Sequence, residues 1–134
     1  MNIALDMMGG DYAPLEAVKG ISLFLAGGDK NITLTLIGDE AVVKPLLLAH
    51  AVSLDSITIV HASQVIAMQE HPTKALREKQ HSSIAIGFQL LASDKTDAFI
   101  SAGNTGAMMV GALLSIKAIE GVTRPTIGAY IPKE

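Results

Sequence analysis

At 134 residues the chain has the length of one compact domain with a core of its own, and it is short for two. Apolar residues make up 49% of it and aromatic ones only 4%, so that core is aliphatic, the palette of buried parallel strands. A net charge of −3, with acids and bases interspersed, gives no support to nucleic acid as a partner, and the absence of cysteine excludes disulfides, thiolate metal sites and cysteine nucleophiles.

The N-terminus, Met1-Asn2-Ile3-Ala4-Leu5-Asp6, lacks the basic region of a signal peptide and places an acid where the apolar segment should continue. The apolar stretches are too short and too interrupted to span a bilayer, which leads to the expectation of a soluble cytoplasmic domain. Residues 2–6 read as a first strand, followed by the loop 7–13 and a helix from about Pro14, whose missing N–H costs nothing in a first turn. Gly27-Gly28-Asp29 stops that helix, residues 32–37 form a second strand, and Gly38-Asp39 leads into a helix over about 40–51 with Pro45 in its early turns.

Residues 57–61 read as a third strand and 62–71 as an irregular connection. A polar helical stretch around 72–79 follows, and then Ser82-Ser83 caps an apolar helix to about Leu91. The fourth strand, 97–100, hands over to Ser101-Ala102-Gly103-Asn104-Thr105-Gly106 and to a helix over about 106–120 that is apolar almost all round and therefore expected to be buried, with Gly111 marking a close contact. Residues 124–132 read as a fifth strand. The sequence given stops directly after it with no helix left to cover the extended sheet face, which reads as the N-terminal portion of a longer enzyme, prone to associate through exposed apolar surface.

Strands that alternate with helices imply a mainly parallel sheet with right-handed crossovers and helices on both faces, a three-layer α/β/α fold in a single α/β domain over 1–134. Ligands in that architecture collect at the C-terminal ends of the strands, and three unusual loops fall there: 6–11, 62–71 and 101–106. The last is the most informative. Two glycines let backbone approach a ligand closely, Asn104 and Thr105 are good helix caps, and the free N–H groups and dipole of the following helix suit a phosphate. A plain strand-to-helix turn would use the same residues.

Asp6 and Asp11 flank the Gly9-Gly10 pair; they could bind a cation or orient a base, or simply cap a turn and start a helix. Arg77 and Lys79 could meet phosphate or an acidic partner, or form a solvated face. No Gly-x-Ser-x-Gly elbow surrounds Ser101, so it is not read as a nucleophile. His50, His61, His71 and His81 include no pair at metal-binding helical spacing, and neither a dinucleotide fingerprint nor a P-loop is present.

Ala4-Leu5-Asp6-Met7-Met8-Gly9-Gly10-Asp11, then Pro72-x-x-Ala75-x-Arg77-x-Lys79-x-x-Ser82-Ser83, then Ile100-Ser101-Ala102-Gly103-Asn104-Thr105-Gly106-Ala107, then Arg124-Pro125 together resemble one family, the acyl-ACP:phosphate acyltransferases of bacterial phospholipid synthesis. The resemblance implies transfer of a fatty acyl group from acyl carrier protein to inorganic phosphate, giving an acyl phosphate. It implies no metal or organic cofactor, a homodimer similar in fold to phosphate acetyltransferases and isocitrate dehydrogenases, and work at the inner face of the membrane. Asn104 and Thr105 then hold phosphate or the oxyanion. Asp6, Gly9, Gly10, Asp11, Ser101, Gly103 and Gly106 surround the substrate, with Gly9 and Gly10 letting the acyl chain or carrier arm pass, and Arg77, Lys79, Ser82 and Ser83 contact carrier or phosphate. Replacing Asn104 with Ala is expected to lower turnover with little loss of fold. Family members run to roughly twice this length, which leaves as the alternative a catalytically incomplete fragment that binds phosphate or carrier. A third reading, an oxidoreductase of the isocitrate dehydrogenase type, needs a carboxylate metal cluster and a nucleotide site that the sequence does not display.

Overall fold

The computed structural model describes residues 1–27, 31–55, 57–123, 126–128 and 131. Its elements in chain order are β1 (Asn2–Asp6), α1 (Leu15–Gly27), β2 (Thr33–Gly38), α2 (Glu40–Ala49), β3 (Ile57–His61), α3 (Pro72–Glu78), α4 (Ser83–Ala92), β4 (Ala98–Ile100) and α5 (Thr105–Ser115). The strands form one sheet in the order β3-β2-β1-β4, and every pairing is parallel. The chain steps outward from β1 through β2 to β3, then returns to lay β4 on the other side of β1.

That reversal decides which helix covers which face, because right-handed crossovers running in opposite directions put their helices on opposite sides of the sheet. Val18 and Ile21 of α1 and Val43 and Leu47 of α2 close over Leu34 and Leu36. On the other face Ile86 and Leu90 of α4 pack with Ala4 and Ile37, and α3 and α5 join α4 through Ala75, Ile84, Phe88 and Ala107. The result is the three-layer α/β/α arrangement expected from the sequence. Buried residues run almost continuously along β2, as a strand covered on both faces requires.

Local chemistry fixes the helix ends. Asp39 caps α2 through a bond from the Ala41 N–H at 3.0 Å, and Ser82 caps α4 through the Ala85 N–H at 3.3 Å. Pro45 lies inside α2, which continues to Ala49 and turns out of the helix at Ala51 with φ +54°. Two expectations are corrected. The last helix ends at Ser115 rather than near residue 120, because Lys117 adopts a left-handed conformation (φ +71°) and its N–H and that of Ile116 both close on the Ala112 carbonyl. That helix is also not buried all round: Ala107 and Gly111 face α4, while Met109, Leu113 and Leu114 are exposed. Of the expected fifth strand, residues 124, 125, 129, 130 and 132 lie outside the described residues, and 126–128 and 131 are not in strand conformation.

Candidate functional site

The reversal between β1 and β4 sets their C-terminal ends side by side, the position in an open parallel sheet where flanking loops diverge and leave a crevice. Asp6 ends β1 and is only 3% exposed. Its Oδ1 accepts the N–H groups of Met8 (2.8 Å) and Gly9 (3.1 Å), folding the loop back over the strand end. Its Oδ2 accepts the Ser101 hydroxyl at 2.7 Å, and Ser101 Oγ in turn accepts the Gly103 N–H at 2.9 Å. One chain of hydrogen bonds therefore joins the loop after β1 to the loop after β4, across 95 residues of sequence.

Glycine is required where these loops touch. A Cβ on Gly9 would stand 2.6 Å from both Asp6 Oδ2 and the Gly103 nitrogen, distances that real side chains do not tolerate, and Gly10 has a φ of +101°. Gly106 lies against Pro72, the first residue of α3, with only 2.5 Å between the proline Cγ and a Cβ built there. The two loops and the start of α3 thus form one continuous floor.

Asn104 holds the third loop to this floor. It is 4% exposed and caps α5 by accepting the Ala107 N–H at 3.0 Å. Its Nδ2 donates to the carbonyls of Ala67 (3.0 Å), Met68 (3.2 Å) and Glu70 (3.0 Å). Its amide is thus fully engaged within the protein, so any contribution to a bound anion is positional. Thr105 and Gly106 follow as the first residues of α5; Thr105 is exposed, and no described residue accepts from either N–H. Two backbone donors, a hydroxyl and the positive end of an eleven-residue helix are presented there together.

The remaining sequence candidates divide. Asp11 is exposed beside Gly10 and carries no structural bond among the described residues. Lys79 does not extend toward a partner: its Nζ donates to the Val65 carbonyl at 2.7 Å and pairs with Glu70 Oε1. That ammonium, together with the Ala67 N–H donating to the same carboxylate at 2.7 Å, holds the Glu70 carboxyl below the usual carboxylate range. Ser82 and Ser83 are buried, and the Ser82 hydroxyl is committed to the Lys79 carbonyl at 2.7 Å. Arg77 lies exposed in the last turn of α3 and forms no ion pair among the described residues. Glu70 was not singled out from the sequence. Its role depends on Lys79 and Asn104 arriving from two other elements, and no local spacing signals it. Among the described residues no group of three or more His, Asp or Glu side chains could hold a metal ion, and no helix is long and apolar enough to cross a membrane.

A family model described as "Fatty acid synthesis protein" matches residues 1–134. The chain belongs to that family. Among curated members, the phosphate acyltransferase of Dictyoglomus turgidum is 48% identical over 132 residues, covering 98% of this chain and 39% of the relative. The phosphate acyltransferase of Dictyoglomus thermophilum is 47% identical over the same shares, and that of Thermoanaerobacterium thermosaccharolyticum 42% identical over 98% of this chain and 38% of its own length. The chain thus spans about two fifths of the relatives it matches. In this chain the motif residues of the sequence fall on the floor just described: Asp6, Gly9, Ser101, Gly103, Asn104 and Gly106 build it, while Pro72, Lys79 and Ser82 brace it.

Proposed function

We propose that the protein containing this chain transfers a fatty acyl group from acyl carrier protein to inorganic phosphate, and that the floor between β1 and β4 is where phosphate meets the thioester. The carrying observation is the presentation of the Thr105 and Gly106 N–H groups and the exposed Thr105 hydroxyl at the N-terminus of α5, held in place by the Asn104 and Asp6–Ser101 bonds. Membership of the fatty acid synthesis family and similarity to the two Dictyoglomus phosphate acyltransferases support the same reading.

A thioester is already activated, so the protein's part is positioning and charge stabilisation. A phosphate oxygen attacks the carbonyl carbon, the C–O bond forms, the C–S bond breaks, and the carrier thiolate leaves and takes up a proton. Negative charge gathers on the carbonyl oxygen along the way. Fixed N–H donors and a helix dipole lower its energy without reorganising as the charge develops. Asp11 and the Gly9-Gly10 backbone border the path of the acyl chain or carrier arm. Arg77, exposed on α3, meets the acidic carrier. The family resemblance carries with it a homodimer in the cytoplasm that touches the inner membrane surface.

A second reading is favoured by the share of the relatives that this chain spans: a fragment that binds phosphate or carrier without turnover. Carrier-thiol release from long-chain acyl-ACP, measured with and without phosphate, separates the two. Release that depends on phosphate supports transfer by these loops. Phosphate binding without release assigns the chain to the binding reading, and release without phosphate overturns both.

A further inference from the structure

Among the described residues, two ion pairs join neighbours on one helix, Glu16 with Lys19 and Glu40 with Lys44, and a third is a looser, exposed contact between His61 and Asp39. Pairs of that kind contribute little. The fourth differs. Lys79, at the end of α3, meets Glu70 of the 62–71 connection across nine residues of sequence, and it is the least exposed of the four, with side chains 31% and 29% accessible. Both partners are bound further: Lys79 Nζ donates to the Val65 carbonyl at 2.7 Å, and Glu70 Oε1 accepts the Ala67 N–H at 2.7 Å. The Glu70 N–H returns to the Ala67 carbonyl at 3.1 Å, so residues 67–70 form a turn closed by both backbone and side chain. The Lys79 bond first and the Ala67 N–H second hold the Glu70 carboxyl below the ordinary carboxylate range, which keeps the pair charged and intact near neutral pH.

That turn points three carbonyls, those of Ala67, Met68 and Glu70, at the Asn104 amide nitrogen. An amide nitrogen has only two hydrogens, so three acceptors around it fix the plane of the group as well as its place. The other end of the same amide accepts the Ala107 N–H and sets the first turn of α5. We infer that Glu70 is a positioning residue for phosphate: with Lys79 it shapes the turn that seats the Asn104 amide, and the seated amide aims the Thr105 and Gly106 N–H groups at the anion. The inference rests on the proposed transfer to phosphate. It is read in phosphate affinity because phosphate carries its charge on arrival, before any charge develops on the thioester carbonyl, and donors that are misaimed hold it less well from the start.

The experiment uses a full-length hybrid in which this chain replaces the matched 132 residues of the Dictyoglomus turgidum enzyme, with carrier-thiol release from long-chain acyl-ACP as the readout, well below the melting temperature of each variant. Glu70→Ala and Lys79→Met are each expected to raise the KM for inorganic phosphate about tenfold while the KM for acyl-ACP is unchanged. Glu70→Gln, whose side-chain oxygen still accepts the Ala67 N–H, is expected to recover most of that loss. A clamp that only stabilises the fold would lower the amount of folded enzyme, giving a lower kcat with both KM values unchanged. That result, or a rise shared equally by both KM values, overturns the inference and leaves the proposed reaction standing. So does a phosphate KM that falls in Glu70→Ala, which would show the freed Lys79 ammonium binding the anion itself. A parent hybrid that folds but releases no thiol when phosphate is added overturns the proposed reaction and the inference with it. If the hybrid does not fold, phosphorus NMR titration of inorganic phosphate with this chain and its Glu70→Ala variant decides: binding about tenfold weaker in the variant supports the inference, and equal binding, or none by the parent, overturns it.

Discussion

Asn104 makes four hydrogen bonds to backbone, three of them to carbonyls 34–37 residues earlier in the chain. Its choice as a helix cap was legible in the sequence, since Asn at the start of an apolar helix satisfies a free N–H. The reach of its amide to Ala67, Met68 and Glu70 was not, because those partners meet it only once β4 has folded back beside β1. The expectation that Asn104→Ala spares the fold is therefore corrected: losing the cap and leaving three carbonyls without their donor costs about 2–3 kcal/mol. Urea unfolding of the variant reads this directly, and a midpoint equal to that of the parent chain would contradict the assigned role. Gly9→Ala acts at the same floor by crowding. Its Cβ meets Asp6 Oδ2 and the Gly103 backbone, neither of which can retreat, so a loss of about 1–3 kcal/mol is expected in the same measurement. Gly9 was recognisable in sequence as a place of close approach, yet the partner remained open between ligand and the neighbouring loop; the structure shows the loop.

At the scale of elements, α5 shows which features a linear pattern conveys. Its start at Asn104-Thr105 and the contact at Gly111 were readable from cap chemistry and a glycine within an apolar run. Its end was not, because nothing in Ser115-Ile116-Lys117 announces a left-handed lysine. Nor was its exposed face, since apolar residues all round a helix do not reveal which side finds a neighbour. Gly111→Ala tests the contact with opposing effects. Alanine favours a helix over glycine by about 1 kcal/mol, whereas a Cβ directed into the Phe88 ring costs about 1–3 kcal/mol. A net fall in melting temperature is expected, and a rise would show that α4 and α5 pack less closely.

The 62–71 connection adds a pH dependence. Glu70 has its carboxyl held below the ordinary value of 4.5, so its bonds to Lys79 and the Ala67 N–H contribute fully above that value. They are lost as pH falls through the lowered value of the folded state. The parent chain should lose melting temperature over that acid range more steeply than Glu70→Gln does, with the difference confined there. Identical acid profiles would mean the clamp contributes nothing. The sequence offered Lys79 as a contact for phosphate or an acidic partner, or as part of a solvated face, and not as a clamp on Glu70, because that partner is nine residues away on an irregular segment.

For the molecule as a whole, alternation of strand and helix patterns made the three layers and the parallel sheet legible, while the order β3-β2-β1-β4 became visible only in three dimensions. That order places the switch point between β1 and β4 and brings Asp6 to Ser101. The central claim is that phosphate is acylated at this junction. Phosphorus NMR of long-chain acyl-ACP mixed with inorganic phosphate and a full-length hybrid, in which this chain replaces the matched 132 residues of the Dictyoglomus turgidum enzyme, tests it most directly. The account predicts a new acyl phosphate resonance growing in step with free carrier thiol. Release of free fatty acid, with the phosphate signal unchanged, would contradict it.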